Sequence, residues 1–177
     1  MTPTPNNAQD NTATKSPDFV ASRVFDAPRD LVWKAFTDPE RMKEWWGPKG
    51  FTVIASKMDL RPGGIYHYGM KAPDGSMMWG KFVFREIVAP ERMVFINSFS
   101  DEAGGTTRHP MAPVWPLEML SIITFEDVGG KTKFTVRWAP HNATDDERKM
   151  FGSSHASMRQ GWGGTMDKLE AYLTQAR

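Results

Sequence analysis

Four histidines, 21 acidic side chains and no cysteine define the chemistry open to this 177-residue chain. His155 is the residue best suited to proton transfer, because imidazole titrates near neutrality and His155 falls on the apolar stripe of a C-terminal helix. There it reads either as a general base or donor to a ligand carbonyl, or as a satisfied histidine at the edge of the core. Glu86 follows Phe82 and Phe84 at alternate positions, so an unbroken strand would place its carboxylate on the apolar face as an acid or base. The other reading is a salt bridge with Arg92 near the strand end. His67 is out of phase with Tyr66 and Tyr68 and belongs to the opposite face, while His109 and His141 fall in loops and are expected to be solvated. Ser153 and Ser154 precede His155 directly, but neighbours on a helix point apart and make no nucleophile–base pair. Arg61, beside Gly63-Gly64, reads as turn chemistry. Scattered histidines without cysteine suggest no metal site, and the chain has neither a phosphate-binding glycine loop nor an H-E-x-x-H motif. No metal or cofactor is expected.

The elements that must carry these residues are legible from periodicity. Phe19–Phe25 is a strand, and Asp26-Ala27-Pro28 opens a helix in which Leu31, Val32, Ala35 and Phe36 recur at helical spacing. Asp38-Pro39 starts a second short helix that carries Met42, Trp45 and Trp46 and stops at Gly47-Pro48. From Phe51 to Ala139 the pattern alternates, with strands expected at 51–60, 65–71, 77–88, 92–100, 116–127 and 131–139 and Gly- or Pro-bearing turns between most of them. Phe134, Val136 and Trp138 alternate with Lys133, Thr135 and Arg137, so one sheet face is wet. Residues 101–115 have no periodicity and form a long loop of the kind that is often functional. After Thr144-Asp145-Asp146-Glu147, the residues Phe151, His155, Met158, Trp162, Met166, Leu169 and Leu173 form one stripe on a helix of about thirty residues. Gly161, Gly163 and Gly164 interrupt that helix and predict a bend there.

Composition narrows the class. Net charge is +1, and no concentrated run of Lys or Arg offers a nucleic-acid surface. No apolar stretch reaches the ~18 residues of a membrane span, the first residues lack a leader-like apolar segment, and the absence of cysteine suits the cytoplasm, which is the expected location. Residues 1–17 hold no large apolar side chain and are expected to be disordered; residues 18–177 are expected to form one domain. The twelve Met and seven Trp suit either a packed core or the wall of an apolar cavity. Trp46, Phe51, Tyr66, Tyr68, Met70, Phe82, Phe95, Phe99, Met119, Trp138, Met158 and Trp162 are the candidate lining, with Tyr66, Tyr68, Asn97 and His155 as its polar minority.

Several motifs join this order of elements. Val24-Phe25-Asp26-Ala27-Pro28 to Trp33-Lys34-Ala35-Phe36 resembles the opening signature of the SRPBCC superfamily. Asp38-Pro39-Glu40 to Trp45-Trp46-Gly47-Pro48 is similar to the next segment of its AHSA-like branch, related to the C-terminal domain of the activator of heat-shock-protein ATPase. Asp59-Leu60-Arg61-Pro62-Gly63-Gly64, Pro73-Asp74-Gly75, Arg85-Glu86-Ile87 with Pro90-Glu91-Arg92, Gly130 to Thr135, and Gly161-Trp162 resemble later motifs of that branch, so the likeness covers about residues 19–175. The resemblance implies an α+β helix-grip fold: a curved antiparallel sheet of six to seven strands around a long C-terminal helix, two short helices after the first strand, and a cavity between sheet and helix. Three functions follow as expectations. The first is binding of an apolar or aromatic small molecule, with 45–51 and 101–115 as gates. The second is a cyclase, dehydratase or hydrolase acting in the same cavity, and the third is a protein-interaction module, as a monomer or homodimer.

Overall fold

The computed structural model describes residues 18–176; residues 1–17, the expected tail, lie outside them. Strand β1 (Phe19–Phe25) leads into helices α1 (Arg29–Thr37) and α2 (Pro39–Trp45). Seven strands follow: β2 (Thr52–Met58), β3 (Ile65–Lys71), β4 (Met77–Val88), β5 (Arg92–Ser100), β6 (Thr106–Thr107), β7 (Glu118–Val128) and β8 (Lys131–His141). Helices α3 (Asp145–Ser153) and α4 (His155–Gln175) close the chain. The antiparallel sheet runs β1-β8-β7-β5-β4-β3-β2, with β6 pairing at the side of β5. This is the expected helix-grip α+β architecture, with one short additional strand inside the segment read as a loop.

Local chemistry explains the boundaries. Pro28, in extended conformation, is the residue before α1 rather than its first helical residue, and its carbonyl accepts from the Leu31 and Val32 amides. Asp38 caps α2 through its side chain, which accepts from Glu40 N, with Pro39 in the first turn, where a missing N–H costs nothing. The C-terminal stripe is carried by two helices, not one. The break falls at Ser154 (φ −106°, ψ 8°), not at the glycines, which lie within an uninterrupted α4. The Ser153 and Ser154 hydroxyls both donate to Met150 O, at 3.0 and 2.7 Å, offering the backbone a local alternative to the helical ladder.

The inner sheet face is filled unevenly. At one end α1 and α2 plug it: Phe36 stacks on Phe134 at 5.1 Å, Trp33 meets Phe125 at 5.2 Å, and the buried Trp45 indole donates to Ala35 O at 3.1 Å. At the other end α4 stands across the sheet through Trp162, 5.3 Å from Trp138. No helix of the described residues is long and apolar enough to cross a membrane.

Candidate functional site

The unfilled end of the sheet encloses a cavity of about 520 Å³. That size lies within the range of small-molecule sites. Alternation delivers its floor: Tyr68 and Met70 from β3, Phe82 from β4, Phe95, Asn97 and Phe99 from β5, Met119 from β7 and Trp138 from β8. Met158 and Trp162 come down from α4, and Trp46 closes one side after α2. Phe82 and Phe95 are stacked at 4.1 Å, and Trp162 lies edge-on to both Trp46 and Trp138. Burial holds the Tyr68 phenol neutral, its pKa pushed up to about 12.

Three of the candidate residues are not in the lining. Tyr66 lies behind Tyr68, fully buried, with its hydroxyl 3.2 Å from Ser56 Oγ; burial, above all, raises its pKa. Phe51 packs against the core beside the cavity wall. His155 is wedged between the rings of Phe19 and Phe151 at 5.7 and 5.4 Å, because the break at Ser154 rotates it from the cavity toward β1. Its Nε2 is buried without a hydrogen-bond partner among the described residues.

Glu86 is absent from the inner face for a separate reason. The register of β4 against β5 slips between Phe84 and Glu86, so Arg85 is an extra residue and alternation is inverted beyond it. Ile87 then packs against the core while Glu86 stands half-exposed in an ion pair with Arg92 at 3.2 Å. His67 is on the opposite face as expected, stacked on Trp79 at 5.1 Å.

The loop between β6 and β7 supplies what periodicity missed. His109, Ala112, Trp115, Pro116 and Leu117 all line the cavity, as do Met78, Met150, Ser154, Ser157, Gly161 and Thr165. His109 is therefore a half-buried wall residue, lying 4.8 Å from the Phe99 ring; burial lowers its pKa. Its Nδ1 accepts from Met111 N at 3.0 Å. A Trp and a His within one aperiodic loop were the available signal. Glu147 ties this loop down by accepting from Leu117 N at 3.2 Å and approaching Arg108 at 3.6 Å, while completing a capping box with Thr144 at the start of α3. Burial opposes the Glu147 charge, but the Thr144, Leu117 and Arg108 partners outweigh it and hold the carboxyl below its usual range.

The other expected gate, 45–51, is clamped. Lys168 Nζ reaches the carbonyls of Trp46, Gly47, Pro48 and Phe51 at 3.3, 3.3, 3.4 and 3.1 Å, and Thr165 donates to Gly47 O at 3.2 Å. Burial lowers the Lys168 pKa.

Fold and cavity define a helix-grip protein whose C-terminal helix leaves a hollow against the sheet. The chain belongs to the family described as activator of Hsp90 ATPase homolog 1-like protein, which matches residues 26–174. No curated protein matches the sequence. Among solved structures it is similar to a protein of Nitrosomonas europaea (26% identity, TM-score 0.72, covering 93% of this chain and 97% of that one). A protein of Arthrobacter aurescens (24%, TM-score 0.75, 90% and 87%) and an AHSA1 protein of Silicibacter pomeroyi (18%, TM-score 0.67, 91% and 100%) share the fold.

Proposed function

We propose that this protein binds an apolar or aromatic small molecule in the cavity between the sheet and α4. One observation carries the reading: the inner sheet face is packed solid at the α1 end and hollow at the other, and that hollow is walled by Trp, Phe and Met side chains with no charged residue among them. A core needing only stability would collapse such a space, since an unfilled cavity forfeits packing energy in proportion to its volume. Of the acid/base residues an enzymatic reading would enlist, His155 and Glu86 lie outside the hollow and Tyr68 lines it with its phenol held neutral by burial, which favours binding over catalysis. The site of action is taken as the cytoplasm, in keeping with a cysteine-free chain.

Titration with fluorene, an uncharged aromatic hydrocarbon, tests the reading through the indole emission of Trp46, Trp138 and Trp162. Saturable one-to-one quenching is expected. A signal that stays flat up to the solubility limit overturns the proposal.

A further inference from the structure

The polar groups of the cavity carry a second message. Resting on the binding reading above, we infer that the ligand is a neutral aromatic molecule bearing a carbonyl-type acceptor oxygen, seated on the Asn97 amide N–H.

Asn97 stands on the floor of the cavity, and its Oδ1 accepts from the hydroxyl of Ser121, which is fully buried on the neighbouring strand. In this arrangement the amide oxygen faces Ser121. The oxygen is consumed by the protein, and the Nδ2 donors have no protein partner among the described residues. His109, also in the lining, repeats the arrangement. With Nδ1 accepting from Met111 N, its neutral ring carries the hydrogen on Nε2, another donor. Two of the hydroxyls that line the space are committed elsewhere: Ser154 donates to Met150 O, and Thr165 to Gly47 O and Gly161 O.

Donors are thus left over in a cavity that has no cation. A carboxylate would lose its hydration without meeting a charge, which is costly. A ligand hydroxyl could accept from the amide, but its own proton would then need an acceptor, a need that a carbonyl oxygen does not have. A ketone, quinone or lactone oxygen matches the unsatisfied Asn97 amide, and the flat stacked rings of Phe82 and Phe95 suit the aromatic body that would carry it.

Calorimetric titration with three probes of nearly one shape tests this: fluorenone, fluorene and fluorene carboxylate. Fluorenone is expected to bind about tenfold more tightly than both others, the size of one well-placed hydrogen bond to a buried group. In Asn97→Leu, verified as folded by its unfolding transition, the preference for fluorenone over fluorene is expected to fall to within about twofold. If the variant fails to fold, the wild-type comparison decides alone. Equal binding of fluorenone and fluorene overturns the acceptor inference and leaves the cavity reading standing, as does tighter binding of the carboxylate. No binding of any probe overturns both.

Discussion

The phenol of Tyr68 lies flat over Gly80, its cross-strand partner, with ring carbon Cζ only 2.5 Å from where a β-carbon at position 80 would stand. Trp79 covers Gly69 in the same way one register step along, with ring atoms 2.7 to 2.9 Å from the virtual β-carbon. Two glycines in mid-strand therefore serve to lay two large rings across the sheet beside the cavity.

Gly80→Ala must displace Tyr68. A methyl group in ordinary strand backbone gains a few tenths of a kcal/mol through the unfolded chain, but overpacking here costs more, so a net loss of about 1–2 kcal/mol is expected in chemical denaturation. A more stable variant would show that the ring moves freely.

Gly161 is the opposite case. It sits inside α4 at the cavity wall, and a β-carbon there meets nothing within 4 Å. Gly161→Ala is expected to raise stability by about 0.5–1 kcal/mol through helix propensity. Gly161→Leu projects a side chain from the same wall, and fluorene quenching is expected to weaken at least several-fold without loss of stability. The two measurements together separate an effect on the fold from an effect on the space.

Lys168 holds the 46–51 wall by four carbonyls at once. Lys168→Met keeps the buried stem and removes the ammonium; Gly47 O keeps the Thr165 hydroxyl and Pro48 O the Phe51 amide, while Trp46 O and Phe51 O lose their side-chain donor, so a loss of about 1–3 kcal/mol is expected, with increased amide exchange confined first to residues 47–51. Uniform exchange across the molecule would show that Lys168 stabilises nothing local.

Glu147 joins the loop to α3. Glu147→Ala removes a capping box and leaves the Leu117 amide without an acceptor, for an expected cost of about 2–3 kcal/mol. Its folded pKa lies below 4.5, so its contribution is complete above that pH and is lost as pH falls through the folded value. The native chain is therefore expected to lose stability in that window more steeply than Glu147→Ala.

His109 makes the same loop sensitive nearer neutrality. Burial lowers its pKa below 6.5, so the opened loop binds a proton more readily than the closed one, and closure weakens as pH falls from 6.5 through the folded value. Protonation also turns Nδ1 into a donor and abolishes its bond from Met111 N. Exchange of the Met111 amide, corrected for its intrinsic pH dependence, is expected to rise across this window in the native chain and to stay level in His109→Asn. A level profile in both would remove His109 from the closure.

The order of elements, the alternation that puts Tyr68, Phe82, Phe95 and Trp138 on one face, and the Met158–Trp162 stripe all follow from local periodicity, because side-chain direction repeats every 2 residues in strands and every 3.6 in helices. Periodicity holds only while the backbone stays regular. Glu86 departs from its expected face because of one extra residue at position 85, and His155 because two serine hydroxyls end α3 one residue earlier. Neither event has a local hydrophobic signature. His109 and Trp115 reach the cavity through a loop whose path is set by Glu147, about thirty residues later in the chain, and by the aromatic rings it settles on. Sequence pattern alone determined the sheet, the helices and the apolar character of what lies between them. Only the tertiary structure decided that the space stays open, since that depends on how far α1 reaches along the sheet and how closely α4 approaches it, distances that no run of residues encodes by itself.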